Sequence, residues 1–306
     1  MTNPATDPAT APATDPGAAS LDETVFTARE RLRAAEIPAP RVLFLMATGV
    51  GFLPAHLVDP CALELGEITP EQEPWSAQVL HAGHLGALPV WCLEDVSGEL
   101  LEREPRSAWV RGFPVWLAAA AGAQLCVHGS AGSALAPLPG LVRSSGAIEG
   151  LALVRDHLNV SGSTPLLGLG PSRLGPLFPD LTRLHHLGLR RAAQARAEAL
   201  GIPAAEAIAA CTHGPALETP AERTMLARLG AEVAVQALAT PLLAAAHSGL
   251  SLLAIGAVTD ARAGTTEVPE LVDSARRLQP ALEDLLLALV PDLAAAADAR
   301  ASEDAP

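Results

Sequence analysis

Glu218 stands in the segment Gly214-Pro215-Ala216-Leu217-Glu218-Thr219-Pro220-Ala221-Glu222, a single carboxylate on a turn-forming stretch directly ahead of a helical pattern. The Gly-Pro pair ends whatever precedes it, and Thr219-Pro220 has the form of a helix N-cap followed by Pro at the first helical position. A carboxylate held on such a corner can accept hydrogen bonds from a ligand's N–H groups. The same residues would serve equally as nothing more than a well-capped helix start. A second acid, Asp260, follows the apolar run 252–258, and ligands of α/β sheets collect at the carboxyl ends of strands. A third signal is Gly49-Val50-Gly51, which the apolar strand pattern 41–46 delivers. A buried strand running into a glycine-rich loop is a common way to present backbone N–H groups to an anion, although Gly-x-Gly alone is weak evidence.

These groups need a scaffold, and the hydrophobic pattern supplies one. Strand-like runs fall at 41–46, 78–80, 88–93, 124–128, 151–155, 207–211 and 252–258. Helical patterns fall at 21–35, 108–121, 187–200, 221–229, 241–247 and 269–290. Strands alternating with helices of this length predict an α/β fold, a three-layer sandwich with a central mixed β-sheet flanked by helices. The expected organisation is a disordered leader at 1–20, one α/β domain at 21–295 and a frayed tail at 296–306. No internal repeat or linker divides the chain.

Composition narrows the function. The chain has 306 residues, 49% of them apolar, and a formal net charge of -14. It can bury a full core, and its acidity argues against nucleic acid and against anionic membranes, which both require basic surface. There is no Lys and no Tyr, so every fixed positive side chain is an Arg and phenol chemistry is excluded. The four cysteines, Cys61, Cys92, Cys126 and Cys211, lack Cys-x-x-Cys spacing, so neither a zinc site nor a disulfide framework is expected and no metal is assigned. Residues 1–19 have neither a basic nor an apolar region of a signal peptide, and no apolar run is long enough to span a bilayer. A cytoplasmic protein with buried free thiols is expected.

The corner at 214–222, followed by a short helix and Leu229-Gly230-Ala231, resembles the purine-binding signature of the trimeric purine nucleoside phosphorylase family, which includes the methylthioadenosine phosphorylases. The resemblance continues in Arg155-Asp156-His157-Leu158-Asn159, in Gly175-Pro176-Leu177-Phe178-Pro179-Asp180 and in the Ala-x-His-x-Gly-Leu ending of 241–250, and covers about residues 41–290. His247, inside that last apolar helix, reads as structural. The resemblance implies phosphorolysis of a purine (deoxy)ribonucleoside or methylthioadenosine through an oxocarbenium-like transition state, with inorganic phosphate as co-substrate, no cofactor, and a homotrimer. It places Glu218 on the purine with Leu217 beside it, and Thr259-Asp260 at the family's Thr-Asn, with Asp260 sharing a proton with the base. It matches Gly83-His84 to a phosphate-facing Gly-His, and Ser130-Ala131-Gly132 to a turn that offers backbone N–H groups to phosphate and base.

The phosphate side departs from the family pattern. The first loop has Val50 where the family has a donating Ser, between Gly49 and Gly51. The second phosphate element falls on 98–105, which puts Glu99 at the family's Arg, Leu101 at its His and Arg103 at its Tyr, leaving Arg103 or Arg106, neither at the matching position, as a substitute anion partner. The aromatic residue that the family lends across its subunit interface falls on Leu174, and the His at the sugar's 5′ end falls on Val268. Three readings follow: a phosphorylase, a member that keeps the fold and a purine pocket as a binding or scaffold protein, and a hydrolase in which water replaces phosphate.

Overall fold

The computed structural model describes residues 20–47, 53–69, 74–97, 107–141, 148–236, 238–259 and 268–303, so the expected leader lies, apart from Ser20, outside the described residues. Nine strands are present: β1 (Val42–Ala47), β2 (Val58–Glu64), β3 (Val79–Leu85), β4 (Leu88–Asp95), β5 (Leu125–Ala134), β6 (Glu149–Asn159), β7 (Ala204–Thr212), β8 (Val233–Gln236) and β9 (Ser251–Thr259). With them are α1 (Leu21–Ala34), α2 (Phe113–Ala121), α3 (Leu187–Leu200), α4 (Pro220–Arg228), α5 (Ala239–His247), α6 (Val268–Ala288) and α7 (Val290–Glu303).

The strands form one mixed sheet in the order β2-β3-β4-β1-β5-β8-β7-β6-β9, and β9 also pairs with β5. Strands β5, β8, β7, β6 and β9 therefore close into a ring, from which β1, β4, β3 and β2 extend as an open wing. β1 runs parallel to β4 and β5, and β5 runs parallel to β9, so these four strands present their carboxyl ends on one side. β8 enters antiparallel to the last residues of β5, pairing Ser133 with Ala234.

β1 is apolar throughout because it is covered on both faces. Leu43 and Leu45 enter a core shared with α1, α2 and α5, which includes Val25, Trp116 and Leu242. Val42, Phe44 and Met46 enter a second core shared with α3, α6 and α7, which includes Leu189, Leu282 and Leu293. The period of two along β1 thus distributes one strand between the two helical layers of the sandwich. Gly129 in β5 lets the Met46 side chain lie against the strand: a Cβ there would stand 2.2 Å from Met46 Cε, and the methionine would have to move aside.

Three features differ from the sequence expectation. The exposed β2 and the four-residue β8 carry too little pattern to be read from sequence. Residues Ser130, Ala131 and Gly132, expected as a turn, continue β5 because β9 pairs with them as Gly256, Ala257 and Val258. The tail expected to fray from 296 is helical as far as Glu303: Leu293 and Ala297 of α7 are fully buried, and Arg41 ties Asp298 at 2.9 Å. Among the described residues no helix is long and apolar enough to cross a membrane.

Candidate functional site

The corner that carries Glu218 is fastened at several points. Thr219 caps α4 and forms a capping box with Glu222: its side chain accepts from the Glu222 N–H at 3.3 Å, and the Glu222 carboxylate accepts from the Thr219 N–H at 2.7 Å. Upstream, β7 and β8 end together, with Thr212 opposite Gln236. Gln236 Nε2 donates to the Ala216 carbonyl at 2.9 Å, and Thr212 Oγ1 donates to Glu218 Oε1 at 2.7 Å. Gly214 lies against the same glutamine, since a Cβ there would stand 2.4 Å from Gln236 Oε1. On α4, Arg223 donates to Ser133 Oγ at 3.0 Å and to the Ala134 carbonyl, which joins the corner to the end of β5. Leu217 is exposed beside Glu218, which is half-buried.

β8 connects this corner with the sequence-assigned residues of β5. Gly132 is packed on it, with a would-be Cβ 3.1 Å from the Ala234 carbonyl and 3.2 Å from Val235 Cγ2. Ser130 is buried, and the pairing of β1 with β5 reaches only Met46 opposite Gly129. Thr259 ends β9 opposite Ser133 and Glu149. The structure therefore brings Ser130, Ala131, Gly132, Thr259 and the Glu218 corner to adjoining strand ends. Asp260, Gly49, Gly51 and Arg103 lie outside the described residues, as do Val50, Glu99 and Leu101.

His84 is not brought to that side. It sits in β3 opposite Pro89 of β4 and Val58 of β2, one residue from the β3–β4 hairpin, where Gly86 takes φ 61°. β4 then runs from that hairpin toward the carboxyl end of β1, so the antiparallel β3 approaches the site with its first residues. His81, opposite Cys92, is the histidine placed there. It lines a cavity of about 500 Å³ with Met46, Leu53, Gln78, Glu94 and Gln279. Burial lowers the His81 pKa, which favours the neutral imidazole. The signal that distinguishes the two histidines is strand direction, set by the hairpin.

Next to this cavity the last residue of β4, Asp95, bonds across β1 to His128 of β5, with Oδ2 2.7 Å from Nε2 and both side chains buried. Burial alone would raise the Asp95 carboxyl. The hydrogen bond and charge of His128, with the hydrogen bonds of Ser97, outweigh it and hold the group below the usual carboxylate range. The pair fixes β4 and β5 on either side of β1, and sequence reading missed it because its members are 33 residues apart.

Two other histidine clusters lie elsewhere. Trp116 Nε1 donates to His247 Nδ1 at 3.0 Å between α2 and α5, which agrees with a structural reading of His247. Asp156, His157 and His185 bring their ligand atoms within 4.8 Å of one another. His157 Nδ1 and His185 Nε2 are 3.0 Å apart with ring centroids 5.3 Å apart, so the two nitrogens point head-on and share a hydrogen bond. A metal would lie off both lone-pair axes. Burial lowers both rings, His185 to about 4, in keeping with a neutral pair.

Residues 113–291 match the phosphorylase superfamily, and the chain belongs to it. It is 26% identical over 264 residues to purine nucleoside phosphorylase 1 of Bacillus subtilis, covering 82% of this chain and 92% of that protein. Against the purine nucleoside phosphorylase of Mycobacterium tuberculosis it is 31% identical over 191 residues, 62% of this chain and 65% of that one. The fold is also that of a Schistosoma purine nucleoside phosphorylase in complex with hypoxanthine, with a TM-score of 0.75 at 20% identity, covering 89% of this chain and 98% of that one.

Proposed function

We propose that this chain is a purine nucleoside phosphorylase-type glycosyltransferase that converts a purine nucleoside and inorganic phosphate into free base and sugar 1-phosphate. The observation that carries the reading is Glu218, a half-buried carboxylate fixed by the 2.7 Å bond from Thr212 on a capped helix corner and joined through β8 to Ser130–Gly132. In the reaction, phosphate attacks the anomeric carbon while the C–N bond to the purine breaks, and negative charge develops on the departing base. A preorganised carboxylate that accepts from a ring N–H holds the base in place, and Asp260, next in sequence after β9, supplies the proton. Phosphate takes the side of the carboxyl ends of β1 and β4, where His81 rather than His84 is the histidine at hand; Arg103, outside the described residues, is kept as the substitute anion partner that the family resemblance suggests.

One observation favours a second reading, a purine-binding member without phosphorolysis. The charged side chain among the described residues lining the cavity at the ends of β1 and β4 is Glu94, a carboxylate where an anion should enter. A single assay separates the readings. Inosine and methylthioadenosine are incubated with the protein with and without inorganic phosphate, and release of base is followed. The proposal expects release that requires phosphate. Equal release without phosphate indicates hydrolysis, and binding without release supports the second reading.

The assembly proposed with this activity is a homotrimer. The connection between β6 and α3 exposes Leu167 at 73%, Leu177 at 48% and Phe178 at 88%, apolar surface of the kind that a second copy covers. Light scattering is expected to give the mass of three chains, and a smaller species for Phe178→Ser.

A further inference from the structure

We propose that Thr212 is a positioning residue for Glu218, and that with Gln236 it sets the direction of the carboxylate before any ligand arrives. This rests on the purine-reading role of Glu218 proposed above.

A threonine hydroxyl has one proton to donate, and Thr212 gives it to Glu218 Oε1 at 2.7 Å. Among the described residues Oε2 has no donor, so one oxygen is held by the protein and the other is left for a ligand N–H. The bond also removes a rotational choice. A glutamate on a loop otherwise samples several rotamers, and each binding event must then select one.

The strands explain why Thr212 can do this. It is the last residue of β7, opposite Gln236, the last residue of β8. Both side chains therefore sit at one level where the strands end, and the chain from Gly214 to Glu218 folds back over them. Gln236 takes the Ala216 carbonyl at 2.9 Å, and Gly214 is the residue that tolerates the glutamine's close approach. Backbone and carboxylate are thus fixed by two neighbouring strand ends, one bond each. The hydrogen bonds of the capping box run between Thr219 and Glu222 and do not involve the Glu218 carboxylate, so its direction is set by Thr212.

Thr212→Val keeps the shape of the side chain and removes the donor, and Thr212→Ser restores it. Two readouts decide the matter. The first needs no ligand: hydrogen exchange of the amides of 213–219. The Val variant should exchange at least about tenfold faster in this loop than the wild type, with β7 and α4 unchanged, and the Ser variant should return to within about threefold. The second is calorimetric binding of hypoxanthine and inosine, where the Val variant should weaken about tenfold and the Ser variant recover; if turnover is present, KM rises and kcat is retained. Gln236→Leu should shift both readouts in the same direction. Unchanged exchange in the Val variant overturns the inference, as does wild-type affinity in that variant or a defect that Ser fails to correct. Absence of purine binding by the wild-type protein overturns the base-reading role instead, and the exchange result still decides whether Thr212 positions the loop.

Discussion

The corner at the ends of β7 and β8 and the cavity at the ends of β1 and β4 are built on different principles. The first is held by neutral and charge-assisted hydrogen bonds that are partly open to solvent, and it leaves one oxygen of Glu218 unspoken for among the described residues. The second is stiffened from beneath by a buried hydrogen-bonded pair, Asp95–His128, and is lined by a carboxylate, Glu94, and a histidine whose neutral form burial favours. On the proposed function, the contrast means that the base side and the phosphate side of the site have diverged separately. The corner presents a carboxylate oxygen to an N–H donor, as the proposed base reading requires, while the described lining of the cavity carries Glu94, a charge that opposes an anion.

The largest expected effect breaks the comparison at its buried pair. His128→Ala leaves the buried Asp95 carboxylate with Ser97 as its remaining partner and opens a cavity where the ring was, which together should cost about 3–5 kcal/mol of stability, read as a fall in Tm on the order of 10 °C. The pH dependence follows from the same pair. Asp95 is held below its unfolded value, so its contribution is fully present above the ordinary carboxylate range and is lost as pH falls through the lowered folded value. Acid titration of wild type should show this loss, and Asp95→Asn should show less of it.

A smaller effect is expected at the corner. Gly214→Ala places a Cβ 2.4 Å from Gln236 Oε1, the far end of a flexible side chain, so stability should change by less than about 1 kcal/mol. Displacing that amide from Ala216 should still weaken purine binding several-fold, measured by calorimetry. The smallest effect is Glu94→Gln, which removes one carboxylate from a solvent-connected cavity. Phosphate KM should fall about two- to fivefold, with less change at high salt.

What the sequence made legible was local. β1 is a wholly apolar run, and the Thr219-Pro220-Glu222 corner is a capping signature, and both appear where expected. The reading failed where distant partners decide. Gly129-Ser130-Ala131-Gly132 has the composition of a turn, yet pairing with β9 extends it as strand. His81 and His84 belong to the same strand, and only the direction imposed by the β3–β4 hairpin tells which one reaches the strand ends. Thr212 and Gln236 carry no motif. Their meaning comes from two strand ends meeting 24 residues apart in the chain, Thr212 against Gln236.

Affinity for hypoxanthine in phosphate-free buffer, measured by calorimetry for wild type, Glu218→Ala and Glu94→Gln, tests most directly whether the base is read at the corner. The account predicts a loss of about 10- to 100-fold in Glu218→Ala, the scale of a hydrogen bond to a charged group, and no change in Glu94→Gln. Wild-type affinity in Glu218→Ala, or an equal loss in Glu94→Gln, would contradict it.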